Sequence, residues 1–250
     1  MRTQMRRLAV FLLIISSGLC QAKTIDIQSF VFPPYIMLNA QGKAEGIIVE
    51  LIQQSFEKLD VEANFEISNW ARAFAKVKSH QSQGLIPTMR TPDREAYFYY
   101  PDTAFLLLDQ HLIAHSSWQG NQFSGDYAEL DDYRIGKVRN ARISPSFDNA
   151  LSQQVFDVEK HNSVEGLVKS LLRGRLDMIA TDSRQAKLVA MQEGQADSIK
   201  LIKPALGQVP VYLAFSKQQV DLELVERFNQ QLKLLLEQGA LEQLEAKYLH

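Results

Sequence analysis

Apolar residues recur along this chain with two periods, and the switches between them mark out its elements. Thr24–Val31 alternates apolar and polar residues at Ile25, Ile27 and, with a break, Phe30, which predicts a strand. Phe32-Pro33-Pro34-Tyr35 stops it, since two prolines cannot continue a ladder and stiffen a loop that carries two rings. After a turn at Asn39–Gly42, Gly46 opens a helix with Ile47, Ile48, Leu51, Ile52, Ser55, Phe56 and Leu59 on one side. Val61–Ile67 reads as a strand, Trp70–Val77 as a helix and Leu85–Met89 as a strand. This β-α-β-α-β order implies a mostly parallel sheet with helices on its faces.

Ala104–His115 is a long apolar run that pauses at Asp109 and Gln110, as a strand crossing between two bodies would. A Gly-, Ser-, Asn- and Gln-rich loop follows at Trp118–Asp126. A second series then begins with a strand at Tyr133–Val138 and a helix at Ser144–Val155, capped by Ser144 with Pro145 at its first position. Val155–Val158 reads as a short strand, Ser163 caps Val164–Leu172, and Gly174 closes that helix. Leu176–Ala180 is a strand, Thr181-Asp182-Ser183 caps a helix to Gln192, and Ile199–Ile202 is a strand. Val209–Ser216 is again apolar, and two amphipathic helices, Leu222–Glu237 and Leu241–Leu249, are split by Gly239. The second series is thus bracketed by extended crossings near residues 108–112 and 203–210.

The first residues carry a different pattern. Arg2, Arg6 and Arg7 precede an unbroken apolar stretch, Leu8–Ile15, then small and polar residues ending Cys20-Gln21-Ala22. This is the layout of a secretory signal peptide over residues 1–22, cleaved after Ala22, and it predicts export to the periplasm. Cys20 could instead carry a lipid, but the bulky Leu19 before it disfavours a lipoprotein signal. Cys20 is also the single cysteine, so the mature chain must hold together without a disulfide. Removing the signal leaves 228 residues, enough for two domains of about 100 each. It leaves 24 basic residues against 29 acidic ones, a balance that argues against a nucleic-acid surface. No second apolar stretch is long enough to span a membrane.

Candidate chemistry concentrates between Trp70 and Arg94. An aromatic surface and a permanent cation stand at the two ends of one helix–loop–strand unit, which is what a carboxylate-bearing ligand requires. Ligands in parallel sheets sit at the carboxyl ends of the strands, and Phe32, Trp70 and the segment Thr88-Met89 to Arg94 lie at or just past such ends. The same residues would serve equally as an ordinary core tryptophan and a surface arginine. His111 and His115 are four apart, but with no cysteine and no acid cluster beside them no metal site is expected. There is no Gly-x-Ser-x-Gly nucleophile setting and no Gly-rich phosphate loop, and no catalytic residue or cofactor is expected.

Several stretches together resemble the bacterial family 3 extracellular solute-binding proteins of the polar amino-acid-binding type. They are Phe32-Pro33-Pro34-Tyr35, Gly42…Gly46, Trp70-Ala71-Arg72-Ala73, Thr91-Pro92-Asp93-Arg94-Glu95, Leu172–Asp177 with Asp182, Leu236–Leu241 and Lys247-Tyr248-Leu249. The resemblance implies an α/β, two-lobed periplasmic-binding-protein fold of type II with a two-strand hinge. Lobe 1 would be 24–108 plus 207–250 and lobe 2 would be 109–206, closing on a small-molecule ligand by a hinge motion. It further implies that Arg94 grips a ligand carboxylate, that Asp182 takes an α-ammonium, and that Phe32 and Trp70 pack on the ligand. Asp182 would equally serve as a plain helix N-cap. The implied partner is an inner-membrane permease of an ABC-type transporter, served by a monomer. A secreted dehydratase-like enzyme on the same scaffold, with Glu165 or Lys137 as acid or base, or a ligand-sensing partner of a membrane receptor, are the alternatives.

The chain departs from the family pattern in three places. Gln83 stands where the loop before the third strand usually has an acid, and Pro87 where a serine often helps to hold the carboxylate. Arg139-Asn140-Ala141-Arg142 replaces the usual Gly-Ser/Thr pair. If Arg72, Arg90, Arg94, Arg139 and Arg142 converge, an acidic ligand is expected. If Arg72 and Arg90 are solvated or paired with Glu66, Asp93 or Glu95, it is not.

Overall fold

The computed structural model describes residues 23–139 and 141–249. The stretch 1–22 expected to be a signal peptide, with Cys20, and Asn140 of the altered loop lie outside the described residues. The first series runs β1 (Lys23–Ser29), β2 (Met37–Leu38), β3 (Ala44–Glu45), α1 (Ile47–Glu57), β4 (Val61–Ile67), α2 (Trp70–Lys78), β5 (Gly84–Thr88), α3 (Pro92–Glu95) and β6 (Phe98–Tyr99). A long strand, β7 (Leu106–His115), leads to β8 (Ile135–Val138), α4 (Pro145–Ser152), β9 (Glu159–His161), α5 (Val164–Leu172), β10 (Met178–Asp182) and α6 (Ser183–Gln192). The chain returns in β11 (Ile199–Ser216) and ends in α7 (Leu222–Glu237) and α8 (Ala240–Leu249).

The strands join in the order β4-β1-β5-β11-β7-β10-β8-β9, with β6 on the side of β11. β4, β1 and β5 are mutually parallel, as are β10, β8 and β9. Between these two blocks, β11 and β7 run antiparallel and are shared by both. β7 pairs through Leu112–His115 with the start of β11, then through Leu106–Gln110 with its continuation at Gly207–Val211. The register shifts between Ile202 and Gly207. The two apolar runs that bracket the second series are therefore adjacent, paired strands.

Each block packs its own core. In the first, the apolar face of α1 meets β1 and α7, and Phe56 lies fully buried with its ring 4.6 Å from Phe228 and 6.3 Å from Phe215. In the second, α4 with the preceding loop covers one sheet face around Phe147 and Phe156, while α5 and α6 cover the other around Leu167, Leu171 and Ala186.

The structure corrects several expected boundaries. The first strand ends at Ser29 rather than Val31, and Val31 is exposed. α4 stops at Ser152, and Gln154 takes a left-handed conformation, so the chain needs further residues before it can pair. The strand expected at 155–158 accordingly forms at Glu159–His161, a polar edge segment whose ladder bonds leave no apolar alternation to read. The two-residue strands β2, β3 and β6 are too short to show any period. Opposite Pro87, which has no N–H to donate, the β5–β11 register slips: Thr88 faces Tyr212 and Leu85 faces Ala214, so two residues of β5 stand against one.

Candidate functional site

The turn after β1 is built to place rings. The first free N–H groups of α1 satisfy its carbonyls: Ile47 N–H donates to Pro34 O at 3.2 Å and Ile48 N–H to Tyr35 O at 3.0 Å. Gly46 makes this approach possible. Its φ is +126°, and a Cβ there would lie 2.5 Å from the Tyr35 carbonyl oxygen. Phe32 folds back to pair with Ile36, which fixes the Phe32 and Tyr35 rings 5.3 Å apart.

From this turn an aromatic wall extends across the carboxyl ends of β1 and β5. Phe30 lies 5.8 Å from Phe32 and 5.8 Å from Trp70, the latter edge-on, and Trp70 lies 5.7 Å from Phe74. Asn69 caps α2 by accepting from Arg72 N–H at 3.0 Å, which sets Trp70 as the first helical residue. All four wall residues keep part of their surface exposed.

Arg94 closes the cluster. Pro92 starts the single turn of α3 and carries Arg94 over the wall, its guanidinium carbon 5.1 Å from the Trp70 ring centre and 5.8 Å from that of Phe74. One nitrogen, Nη1, donates to Thr88 Oγ1 and to Met89 O, both at 3.2 Å. Tyr100 also donates to Met89 O, at 3.4 Å. Among the described residues no carboxylate forms a salt bridge with Arg94. The fork is thus aimed from one side and keeps donors for an anion.

Phe32, Trp70, Thr88, Met89 and Arg94 are therefore brought together, and Phe30 and Phe74 join them. The sequence reading missed the last two as site residues. Phe74 was visible as part of the α2 apolar stripe, and Phe30 stands two positions before Phe32, but neither position separates a core ring from a cleft ring.

Asp182 stands behind Tyr35, whose ring is 5.3 Å from that of Phe32. It ends β10, is 2% exposed, and caps α6 by accepting from Gln185 N–H at 3.0 Å. Asp109 N–H donates to its other oxygen at 2.9 Å, and the hydroxyl of Tyr35, which is itself fully buried, donates to Oδ1 at 2.6 Å. Burial pushes the Asp182 carboxyl above the usual aspartate value, against these donors and Arg184. Burial, then the Asp182 charge, pushes the Tyr35 hydroxyl well above the ordinary tyrosine value. Gln185 Nε2 to Pro33 O at 3.0 Å and Arg184 Nη1 to Leu107 O at 3.2 Å tie the same end of α6 to the first block.

The other arginines do not gather at Arg94. Arg90 pairs with Glu95 and lies 3.6 Å from Asp102. Arg142 is largely exposed and 3.8 Å from Asp148. Arg72 and Arg139 are exposed. Gln83 has a local task, its Oε1 accepting from Asp26 N–H at 3.0 Å. Of the acid–base candidates, Glu165 is an exposed ion-pair partner of Lys169 on α5. Lys137 is buried, donates to Ala141 O at 2.8 Å, and has its ammonium pushed down by burial. Among the described residues no three side chains cluster as metal ligands, and no helix is long and apolar enough to cross a membrane.

Comparison with known proteins supplies the frame for this geometry. Residues 29–250 match the model of the bacterial extracellular solute-binding proteins, family 3. The chain is 23% identical over 202 residues to the L-cystine-binding protein TcyJ of Escherichia coli (strain K12), covering 71% of this chain and 74% of that one. It is 19% identical over 226 residues to an L-arginine-binding protein of Pseudomonas aeruginosa, covering 87% and 84%. A solved structure of the probable amino-acid ABC transporter extracellular-binding protein ytmK from Bacillus subtilis superposes with a TM-score of 0.76 at 16% identity, over 92% of this chain and 98% of that one.

Proposed function

This chain belongs to the bacterial extracellular solute-binding proteins, family 3, and we propose that it captures a small carboxylate-bearing solute between two lobes for delivery to an ABC-type permease. The lobes are 24–108 with 207–250, and 109–206, hinged where β7 and β11 cross. The ligand carboxylate meets the free donors of Arg94, Thr88 and Met89 frame that cation, and Phe32 and Trp70 carry the rest of the ligand. Export through the 1–22 signal places this capture in the periplasm.

The observation that carries the reading is the setting of Arg94. A guanidinium fixed over an indole by a threonine hydroxyl and a main-chain carbonyl, with no carboxylate paired to it among the described residues, is a preorganised anion donor. Arg90 and Arg142 each have an acid beside them. The charge at the cluster therefore favours one ligand carboxylate over two. The relatives are solute-binding proteins, and the two candidate acid–base residues sit apart from Arg94 on α5 and β8, which favours capture over turnover.

The test is a thermal-shift screen of refolded residues 23–250 against amino acids, monocarboxylates and dicarboxylates. A ligand at 100 times its Kd should add about 2.7 kcal/mol, or roughly 5–10 °C in a chain of this size. The shift should vanish in Arg94→Ala. A full shift retained in that variant would refute the assignment.

A further inference from the structure

We propose that the start of α6 is a latch that holds the two lobes together before ligand arrives and releases when they part. The inference rests on the reading of two lobes hinged at β7 and β11, and not on which solute they capture. Apart from the β7–β11 ladder, and among the described residues, every side-chain hydrogen bond and ion pair crossing from 109–206 to the other lobe starts from Asp182, Arg184 or Gln185. Asp182 Oδ1 accepts from the Tyr35 hydroxyl at 2.6 Å, and Gln185 Nε2 donates to Pro33 O at 3.0 Å. Arg184 Nη1 donates to Leu107 O at 3.2 Å, and its Nε is ion-paired with Glu245 of α8. None of these ties uses Arg94, Thr88 or Trp70, so the residues that join the lobes are not the residues assigned to the ligand carboxylate.

Both halves of the latch are rigid. On one side, Asp182 is held by Gln185 N–H at 3.0 Å and Asp109 N–H at 2.9 Å, both from its own lobe. On the other, Pro33 and Tyr35 belong to the turn whose carbonyls accept from Ile47 and Ile48 of α1. The helix that carries Glu245 is bound to the same place, because the Tyr248 hydroxyl accepts from Gly46 N–H at 3.1 Å and donates to Glu50 of α1. Turn, α1 and α8 thus form one catch. Asp182, Tyr35 and Gln185 are all buried, which shields their bonds from the water that weakens exposed ones.

A latch of this size is strong enough to bias the lobes and weak enough to let go. Single hydrogen bonds contribute modestly, so a few of them shift an equilibrium between parted and joined forms by factors of ten without freezing it. Ligand enters the parted form, so the latch sets the fraction of molecules ready for capture. The turn that forms the catch also carries Phe32, whose ring lies 5.3 Å from that of Tyr35, so the latch and the ligand wall share one piece of backbone. Release leaves Asp182 Oδ1 with one donor fewer, open to the α-ammonium that the family resemblance assigns to it.

The experiment measures the distance between the lobes in the ligand-free protein, so it needs no ligand. Nitroxide labels are placed at Glu62→Cys and Lys160→Cys in refolded residues 23–250, which contain no other cysteine. Both positions are exposed, and they lie on β4 and β9, the strands at opposite ends of the sheet order. Double electron–electron resonance should give one dominant distance in the labelled wild type. Tyr35→Phe removes one hydroxyl and keeps the ring, and Arg184→Ala removes the ties to Leu107 and Glu245. Each should raise the share of a second distance, relative to the first, about tenfold. Circular dichroism confirms the fold, and either variant alone suffices if the other does not fold. Two distances in the wild type, in a ratio that the folded variants leave unchanged or lower, overturn the latch and leave the hinge standing. A single distance in the wild type and in the variants overturns the hinge reading, and the latch with it.

Discussion

Replacing Asp182 by asparagine removes a buried charge while keeping the side-chain shape, and its effect on stability should depend on pH in a defined direction. Burial raises the folded-state pKa of Asp182 above the unfolded value. The folded chain therefore holds the proton to a higher pH than the unfolded chain does. Stability from this group is fully present below about pH 4, where the unfolded carboxyl is also protonated, and is lost as pH rises toward the folded pKa. One proton sets the upper limit of the slope, about 1.4 kcal/mol per pH unit. Asparagine does not titrate, so Asp182→Asn should gain on the wild type by up to that amount per unit as pH climbs through the window. In a chain of this size the gain is roughly 3–6 °C in Tm per pH unit.

A constant offset lies beneath the slope. The asparagine amide must turn one N–H₂ toward the N–H of Asp109 or Gln185, which costs about 1–3 kcal/mol at every pH. The wild-type curve alone cannot isolate the effect. Partners hold Glu66, Asp93, Glu165 and Asp177 below the usual carboxylate values, and these groups lose stability as pH falls. Only the difference between the two proteins cancels them. The assay is urea unfolding of both at half-unit steps from pH 4 to pH 8. A flat difference, or one in which the variant loses ground as pH rises, would refute the account of Asp182 as a carboxyl whose burial outweighs its donors.

Other expectations follow from single contacts. Gly46→Ala forces a Cβ to 2.5 Å from Tyr35 O in a backbone conformation hostile to side chains, and should cost about 2 kcal/mol or more by chemical denaturation. Phe56→Ala empties the ring position against Phe228 and Phe215 and should cost about 3–5 kcal/mol. Asp177→Asn breaks the ion pair with Arg134, which is mostly exposed, and should cost no more than about 1 kcal/mol, shrinking further in 1 M salt. Arg94→Lys should fail to restore the binding lost in Arg94→Ala, since a point charge cannot share the fork's contacts with Thr88 and Met89 while gripping a carboxylate.

Much of the fold was legible because apolar periodicity and helix caps are local. Ser144, Ser163 and Asp182 all cap the helices that follow them. What stayed hidden was non-local. The merging of Ile199–Ile202 with Val209–Ser216 into one strand depends on β7 lying beside both, and the sequence between them contains a proline and a glycine that read as an end. In the cluster, the residue types at Trp70 and Arg94 pointed to a flat surface and an anion donor. The tie between Tyr35 and Asp182 joins positions 147 apart, and nothing near either one announces it. Arg90, by contrast, pairs with Glu95, one of the two outcomes the sequence allowed, because the turn of α3 brings the two together.

The shared strands have a consequence for how the chain comes to be made. The first core contains Ile25, Ile27 and the α1 face, but it is completed by Val211, Leu213, Phe215, Val225 and Phe228 from the far end. As the polypeptide emerges in order, its opening segment holds half a core and must wait for more than a hundred residues before the other half arrives. The block between the crossings needs only the first part of β11, which contributes Ile202 and Leu206 to its core. The middle block can therefore close before the first core is complete. Until α7 arrives, the segment that opens the chain lacks the residues that complete its core.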